Sequence, residues 1–314
     1  MTVRIGISSC LLGQEVRFDG GHKRDRFLTD TFGRFVEWVA VCPEVEAGFG
    51  TPREPMRLVE VDGRLRLLLV KTQADVTERL ERYARRRVEQ LEREDLSGYV
   101  LKKDSPSCGL ARVKVYGRAA APQRAGTGLF AAMLQRRYPF LPLEEEGRLS
   151  DPRLRENFVE RVFAYRRVRN LFGRRWTLAE LVAFHTAHKL MLMAHSTAAY
   201  RKLGQLVAGS RRLPRSLVEA PYLEGFMTAL AEIATPRRHA NVLQHMAGYF
   251  KSELDRDEKA ELATAIDDYR AGLVPLVVPM TLIRHHVRRH DVAYLAGQVY
   301  LEPHPKELML RNHV

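Results

Sequence analysis

Cysteine is scarce in this chain, with three among 314 residues: Cys10, Cys42 and Cys108. An odd count excludes a closed disulfide framework. No two of them form the C-x₂₋₄-C pair that most structural zinc sites use. Long apolar runs are also missing. None approaches the roughly 18 residues of a membrane span, so none is expected. The N-terminus reads as a strand and not as a signal peptide, and a cytoplasmic protein with reduced thiols is expected. Acidic residues are in deficit, 38 Asp and Glu against 51 Lys and Arg, for a net charge of +13. Residues 1–150 carry 26 basic against 21 acidic side chains, and residues 151–314 carry 25 against 17. A polyanionic partner such as nucleic acid follows from that balance. Arg outnumbers Lys about fourfold by direct count, and a compositional bias toward Arg would raise the charge without any partner. No internal repeat is visible.

Each cysteine ends a short apolar run. Val3 to Ser9 leads into Cys10, Phe35 to Val41 into Cys42, and Tyr99 to Lys103 into the loop before Cys108. In an open α/β sheet, ligand sites form outside the carboxyl ends of the strands. Thiols placed there converge although they are far apart in sequence. A helix is expected over about 27–32. A hairpin is expected over 56–60 and 64–70 around Asp62-Gly63. A helix capped by Asp75 should run to about Asp95, with Leu80, Tyr83 and Val88 on its apolar side. Strands are expected at 98–103 and 113–116, and a helix after Gly128. Glu144 to Gly147 reads as the exit from this unit. Pro152 then starts a helix, and only helical spacing follows, at about 152–171, 177–194, 197–208, 215–233, 236–253, 257–271 and 279–297. The fold class is an α/β N-terminal domain with an open Rossmann-like sheet over residues 1–145. A basic linker helix over 146–175 and an all-α domain over 176–314 follow it.

Three readings compete for the thiols. Free cysteine is a common core residue, which suits Cys42 better than Cys108 in its polar Ser105-Pro106-Ser107 loop. Zinc is a second reading, weakened by the absent pair. An iron–sulfur cluster, which prefers thiolates, is a third. With three protein ligands it leaves one iron open as a Lewis acid. Glu44 lies two residues after Cys42, where a partly desolvated carboxylate can act as a general base. Ser105 offers a hydroxyl, and Lys102 and Lys103 bring positive charge. Singly, each is also an ordinary surface residue. Gly126 and Gly128 before a helix could hold phosphate, but the rest of a Rossmann fingerprint is missing, and a plain helix-start loop is the simpler reading.

These residues carry a resemblance. Ser9 to Gly13, Val16 to Gly21, Cys42 to Val45, Pro52-Arg53 and Lys103 to Gly109 resemble the thiouracil desulfidase family across roughly residues 1–145. The resemblance implies a [4Fe-4S] cluster held by Cys10, Cys42 and Cys108, with the substrate sulfur on the fourth iron. It further implies Glu44 as activator of water, and Ser105 as the group that positions substrate or transfers a proton. Phe18 stands where many relatives have Tyr. The implied chemistry is hydrolysis of C=S to C=O without net redox change.

In the second half, Arg161, Arg166, Arg167, Arg169, Arg174 and Arg175 alternate with aromatic residues. Such a stretch can pair with phosphates and stack on unpaired bases, or form an amphipathic helix with its rings in a core. His185 and His188, with His195 a heptad further, lack the i, i+4 spacing and carboxylate of a metal helix, so core or interface histidines are expected. Arg284 to His290 adds a basic helix face. Residues 175–305 resemble the YbgA-type helical domain, through Phe184 to Lys189, Met193 to Ser196 and Tyr200 to Gly204. The combination is similar to two-domain desulfidases, which implies 4-thiouridine in tRNA as substrate and tRNA as partner. A desulfidase of free 2- or 4-thiouracil, and a cluster-bearing RNA-binding redox regulator, are the alternatives. The oligomeric state is not legible.

Overall fold

The computed structural model describes residues 3–117 and 121–313. The chain divides into two compact units, Met1–Asp151 and Pro152–Val314. The first runs β1 (Arg4–Ser8), β2 (Glu37–Val41), α1 (Pro43–Glu46), β3 (Met56–Val61), β4 (Arg64–Leu69), α2 (Thr77–Gln90), β5 (Leu96–Leu101), β6 (Val113–Tyr116), β7 (Gln123–Gly126), α3 (Leu129–Arg137) and β8 (Leu143–Glu145). Four strands form a parallel sheet in the order β2-β1-β5-β8. All six residues of β5 are buried, as expected of a parallel strand covered on both faces. Each large apolar side chain taken from water there contributes about 1.5–3 kcal/mol. Gly6 of β1 has to be glycine, because a Cβ would lie 2.1 Å from the ring of Tyr99. The strand order turns at β1, so the crevice beyond its carboxyl end is the switch point of this sheet.

The expected hairpin forms, but in a second, mixed sheet of order β4-β3-β6-β7. Its turn has positive φ at both Asp62 and Gly63, the conformation that pairs Asp with Gly in two-residue hairpins. In α2 the carboxylate of Asp75 accepts from the N–H of Thr77 at 2.9 Å, so it serves a helix that starts two residues later. Leu80, Tyr83, Ala84 and Val88 form its buried face. Residues 144–146 do not simply leave the unit, because Leu143–Glu145 is strand β8, parallel to β5. Three acidic residues hide a strand whose carboxylates are satisfied by backbone donors. Glu145 accepts from Leu110 N–H at 2.8 Å, and Glu146 from Lys103 N–H at 2.8 Å.

The second unit is helical throughout its described residues. It comprises α4 (Pro152–Phe172), α5 (Leu178–Ala187), α6 (Lys189–His195), α7 (Thr197–Gly209), α8 (Ser216–Ala231), α9 (Pro236–Ala247), α10 (Arg256–Ala271), α11 (Val277–Arg289) and α12 (Ala293–Ala296). Two expected helices are divided. His188, at φ −98° and ψ 2°, separates α5 from α6, and the last stretch breaks between Arg289 and Ala293. A Thr177–Glu180 capping box opens α5. The basic segment expected as a linker is mostly α4, whose Phe158, Val159, Val162, Ala164 and Val168 are buried. That helix is part of the core of the second unit.

Candidate active site

Cys10 follows β1 in a short 3-10 turn, Cys42 caps the start of α1 directly after β2, and Cys108 lies in the loop after β5. All three line one cavity of about 340 Å³ at the switch point, with Glu44, Arg53, Ser105, Ser107 and Phe18. Cys10 and Cys108 are buried and Cys42 is half-buried. Burial pushes all three thiols up, Cys10 to about 11, with the neighbouring cysteines adding to the rise for Cys10 and Cys108. A neutral thiol is the resting form of such a site, and a thiophilic metal would displace the proton.

The Cys108 loop is built by its neighbours. Ser105 Oγ accepts from Cys108 N–H at 3.1 Å and from Ser107 N–H at 3.3 Å, a local turn of the kind serine favours. The carbonyl of Ser107 accepts from Phe130 N–H at 3.0 Å and Ala131 N–H at 3.2 Å, and that of Pro106 from Leu129 N–H at 3.2 Å. The first donors of α3 are therefore spent on the cysteine loop, which leaves Gly126–Gly128 no phosphate cradle. Gly128 is a packing glycine, since a Cβ would come within 2.5 Å of the Ser107 backbone.

Glu44 is held from both sides. Its Oε2 accepts from Arg53 Nε at 2.8 Å and also from Arg53 Nη2. Its Oε1 accepts from Ser107 Oγ at 2.5 Å, with Ser105 Oγ farther away at 3.4 Å. Arg53 is buried and gives its remaining donor, Nη1, to Val16 O at 2.9 Å and Gly50 O at 3.0 Å. Lys102 pairs with Glu146 at the rim. Sequence reasoning assigned no role to Arg53, Ser107 or Glu146. Arg53 and Ser107 lie within the stretches that carry the family resemblance, which is the signal that could have found them, and Glu146 carries none.

Residues 5–146 match the model of the 2-thiouracil desulfurase family, and residues 189–305 match DUF1722, a protein family of unknown function. The uncharacterized protein YbgA of Escherichia coli K12 is 35% identical over 162 residues, which cover 51% of this chain and 95% of YbgA. The uncharacterized protein YbbK of Bacillus subtilis 168 is 32% identical over 137 residues, covering 41% of this chain and 87% of YbbK. The chain carries a 2-thiouracil desulfurase domain over residues 5–146. A [4Fe-4S]-dependent thiouracil desulfidase, TudS, is 32% identical to it, with 48% of this chain and 95% of that one covered, at a TM-score of 0.41. The first unit is therefore a domain of the thiouracil desulfidase family.

Three thiols lining one cavity are soft donors of the kind an iron–sulfur cluster takes. Among the described residues no group of three or more His, Cys, Asp or Glu side chains is placed to hold one metal ion. A polynuclear cluster takes each thiolate on a different iron and spreads its ligands around its own body.

In the DUF1722 half, the arginines of the basic stretch separate. Arg167 donates through Nη2 to Pro303 O at 2.6 Å, and burial lowers its pKa to about 10, so it ties the unit together internally. Arg174 is exposed and paired with Glu180 at 2.6 Å. Arg169 and Arg175 are exposed, while Arg161 and Arg166 are half-buried. His185, His188 and His195 are all buried. His195 bridges Glu232 O at 2.6 Å and Glu160 Oε2 at 3.1 Å, the behaviour of a core histidine. No helix is long and apolar enough to cross a membrane among the described residues.

Proposed function

We propose that this desulfurase removes sulfur from thiolated uracil with a [4Fe-4S] cluster on Cys10, Cys42 and Cys108, and that its substrate is 4-thiouridine in tRNA. The observation that carries the reading is one cavity lined by three thiols from three strand ends and by a clamped carboxylate. When bound, the cluster supplies an open, soft iron that draws electrons from a C=S group. Glu44 Oε1 takes a proton from the attacking water. The water oxygen replaces sulfur on the carbon, sulfide leaves, and no electron is exchanged. Arg53 keeps the Glu44 carboxylate in place throughout, and Ser105 shapes the loop of Cys108 and supports the substrate side of the cavity. The thiols require a reducing compartment, which makes the cytoplasm the site of action.

The tRNA assignment rests on the excess of eight positive charges in residues 151–314 and on the exposed Arg169, Arg174 and Arg175. Phosphate contacts through such side chains supply salt-dependent affinity, and the thiolated base must leave its stack to reach the cavity. A second reading, free thiouracil, is favoured by the cavity volume, which suits a single pyrimidine.

The test is protein purified without oxygen, analysed for iron and sulfide, then given 4-thiouridine tRNA and free thiouracils side by side. About four irons and four sulfides per chain, with sulfide release and loss of the thiocarbonyl absorption from tRNA, are expected. Turnover of the free base alone would transfer the function to the second reading. An iron-free chain after anaerobic reconstitution would remove the cluster.

A further inference from the structure

We infer a division of labour between the two serines of the Cys108 loop: Ser107 is the positioning residue for Glu44, whereas Ser105 is the residue that forms the cluster-ligand loop. The inference rests on the desulfidase reading above. Ser107 is buried at 1% exposure, and its hydroxyl sits 2.5 Å from Glu44 Oε1. It is the nearest donor to the carboxylate oxygen that Arg53 does not hold. With Oε2 fixed by the buried guanidinium and Oε1 fixed by the hydroxyl, the carboxylate plane has no freedom to turn. A general base held in one geometry acts through orientation, and small misplacement is costly. Ser105 stands differently. Its oxygen is taken by two backbone N–H groups, those of Ser107 and Cys108. Its Oγ lies 3.0 Å from Ser107 Oγ and 3.4 Å from Glu44 Oε1. Losing Ser105 therefore unfastens the backbone that presents Cys108, whereas losing Ser107 frees the base and removes a weaker 3.6 Å contact to Cys108 Sγ.

Two readouts separate these roles: iron and sulfide content, and the split of kcat from KM. Ser107→Ala should retain wild-type iron and sulfide, keep KM within about twofold, and lower kcat roughly 10- to 100-fold, the pattern of a lost orientation and not of lost binding. Ser107→Thr restores the hydroxyl and should recover most of kcat. Ser105→Ala should lose iron and sulfide first, with turnover per bound cluster less affected. Thermal melting of each variant checks that it folds. Full kcat in Ser107→Ala overturns the positioning role, and so does failure of the Thr variant to rescue at unchanged melting temperature. A Ser105→Ala protein with full iron and no turnover overturns the division, because Ser105 would then act directly. If the wild-type chain carries a cluster yet releases no sulfide from any thiolated uracil, the function itself fails and the positioning role with it. Wild-type turnover with an indifferent Ser107 sinks the positioning role alone.

Discussion

Glu44 has a different donor on each carboxylate oxygen, a buried guanidinium on one and a serine hydroxyl on the other. Replacing it by Gln keeps the size and removes the base. Glu44→Gln should therefore retain iron and sulfide while turnover falls about 100-fold or more. Unchanged turnover would take the base role from Glu44. Arg53→Lys replaces a fork by a point charge. It cannot serve Glu44, Val16 O and Gly50 O together, so a loss of kcat comparable to Ser107→Ala is expected in the same assay.

At the scale of elements, the cysteine loop is held between α3 and β8. The α3 side relies on Gly128, where an added methyl group meets the Ser107 backbone at 2.5 Å. Gly128→Ala should cost about 1–3 kcal/mol as an overpacked contact and lower iron occupancy, read together by denaturant unfolding and metal analysis. Unaltered stability and iron would show that the loop yields freely. The helical unit has its own buried tie. Arg311 reaches Glu156 at 3.0 Å and Glu160 at 3.2 Å from the C-terminal segment, and it is 6% exposed. Arg311→Ala removes the guanidinium that Glu156 and Glu160 share and leaves these buried carboxylates to His313 and His195. A loss of roughly 3–5 kcal/mol is expected, measured as a drop in the unfolding free energy.

At the scale of the whole molecule, pH and salt report on the helical half. Burial lowers His188 and His239 from 6.5 to about 3, and His304 to about 4. Each depressed pKa contributes stability that is present above 6.5 and lost as pH falls toward the folded value, because the unfolded chain binds protons first. Glu156, raised by burial from 4.5 to about 7, works the other way over pH 7 to 4.5. One carboxyl opposes three imidazoles, so the Tm of the helical unit should fall on acidification from pH 6.5 to 4.5. A flat or rising Tm contradicts that account. For tRNA, Arg169→Ala combined with Arg175→Ala should weaken binding and reduce the salt slope by about one per lost phosphate contact. Arg167→Ala should instead lower stability, because its guanidinium serves Pro303 inside the unit.

The sequence by itself determined the division into an α/β half and a helical half, because apolar spacing switches from strand runs to helical periods near Pro152. The three thiols were legible as candidates because each closes a strand, and strand ends are where an α/β sheet opens to ligands, whereas Glu44 and Ser105 were candidates only as their neighbours and took their roles from the family resemblance. Tertiary structure alone decided the rest. Strand β8 was illegible because the carboxylates of Glu145 and of Glu146 just after it are satisfied by backbone donors, from Leu110, Ala111 and Lys103, that lie 34 to 43 residues away in the chain. Arg53 and Ser107 became site residues only when folding brought them to Glu44 across 9 and 63 positions. Arg167 left the basic stretch for the interior because Pro303, 136 residues on, supplied its acceptor. Local spacing records which face of an element is apolar. Which polar groups satisfy one another is set by distances that exist only after the chain has closed on itself.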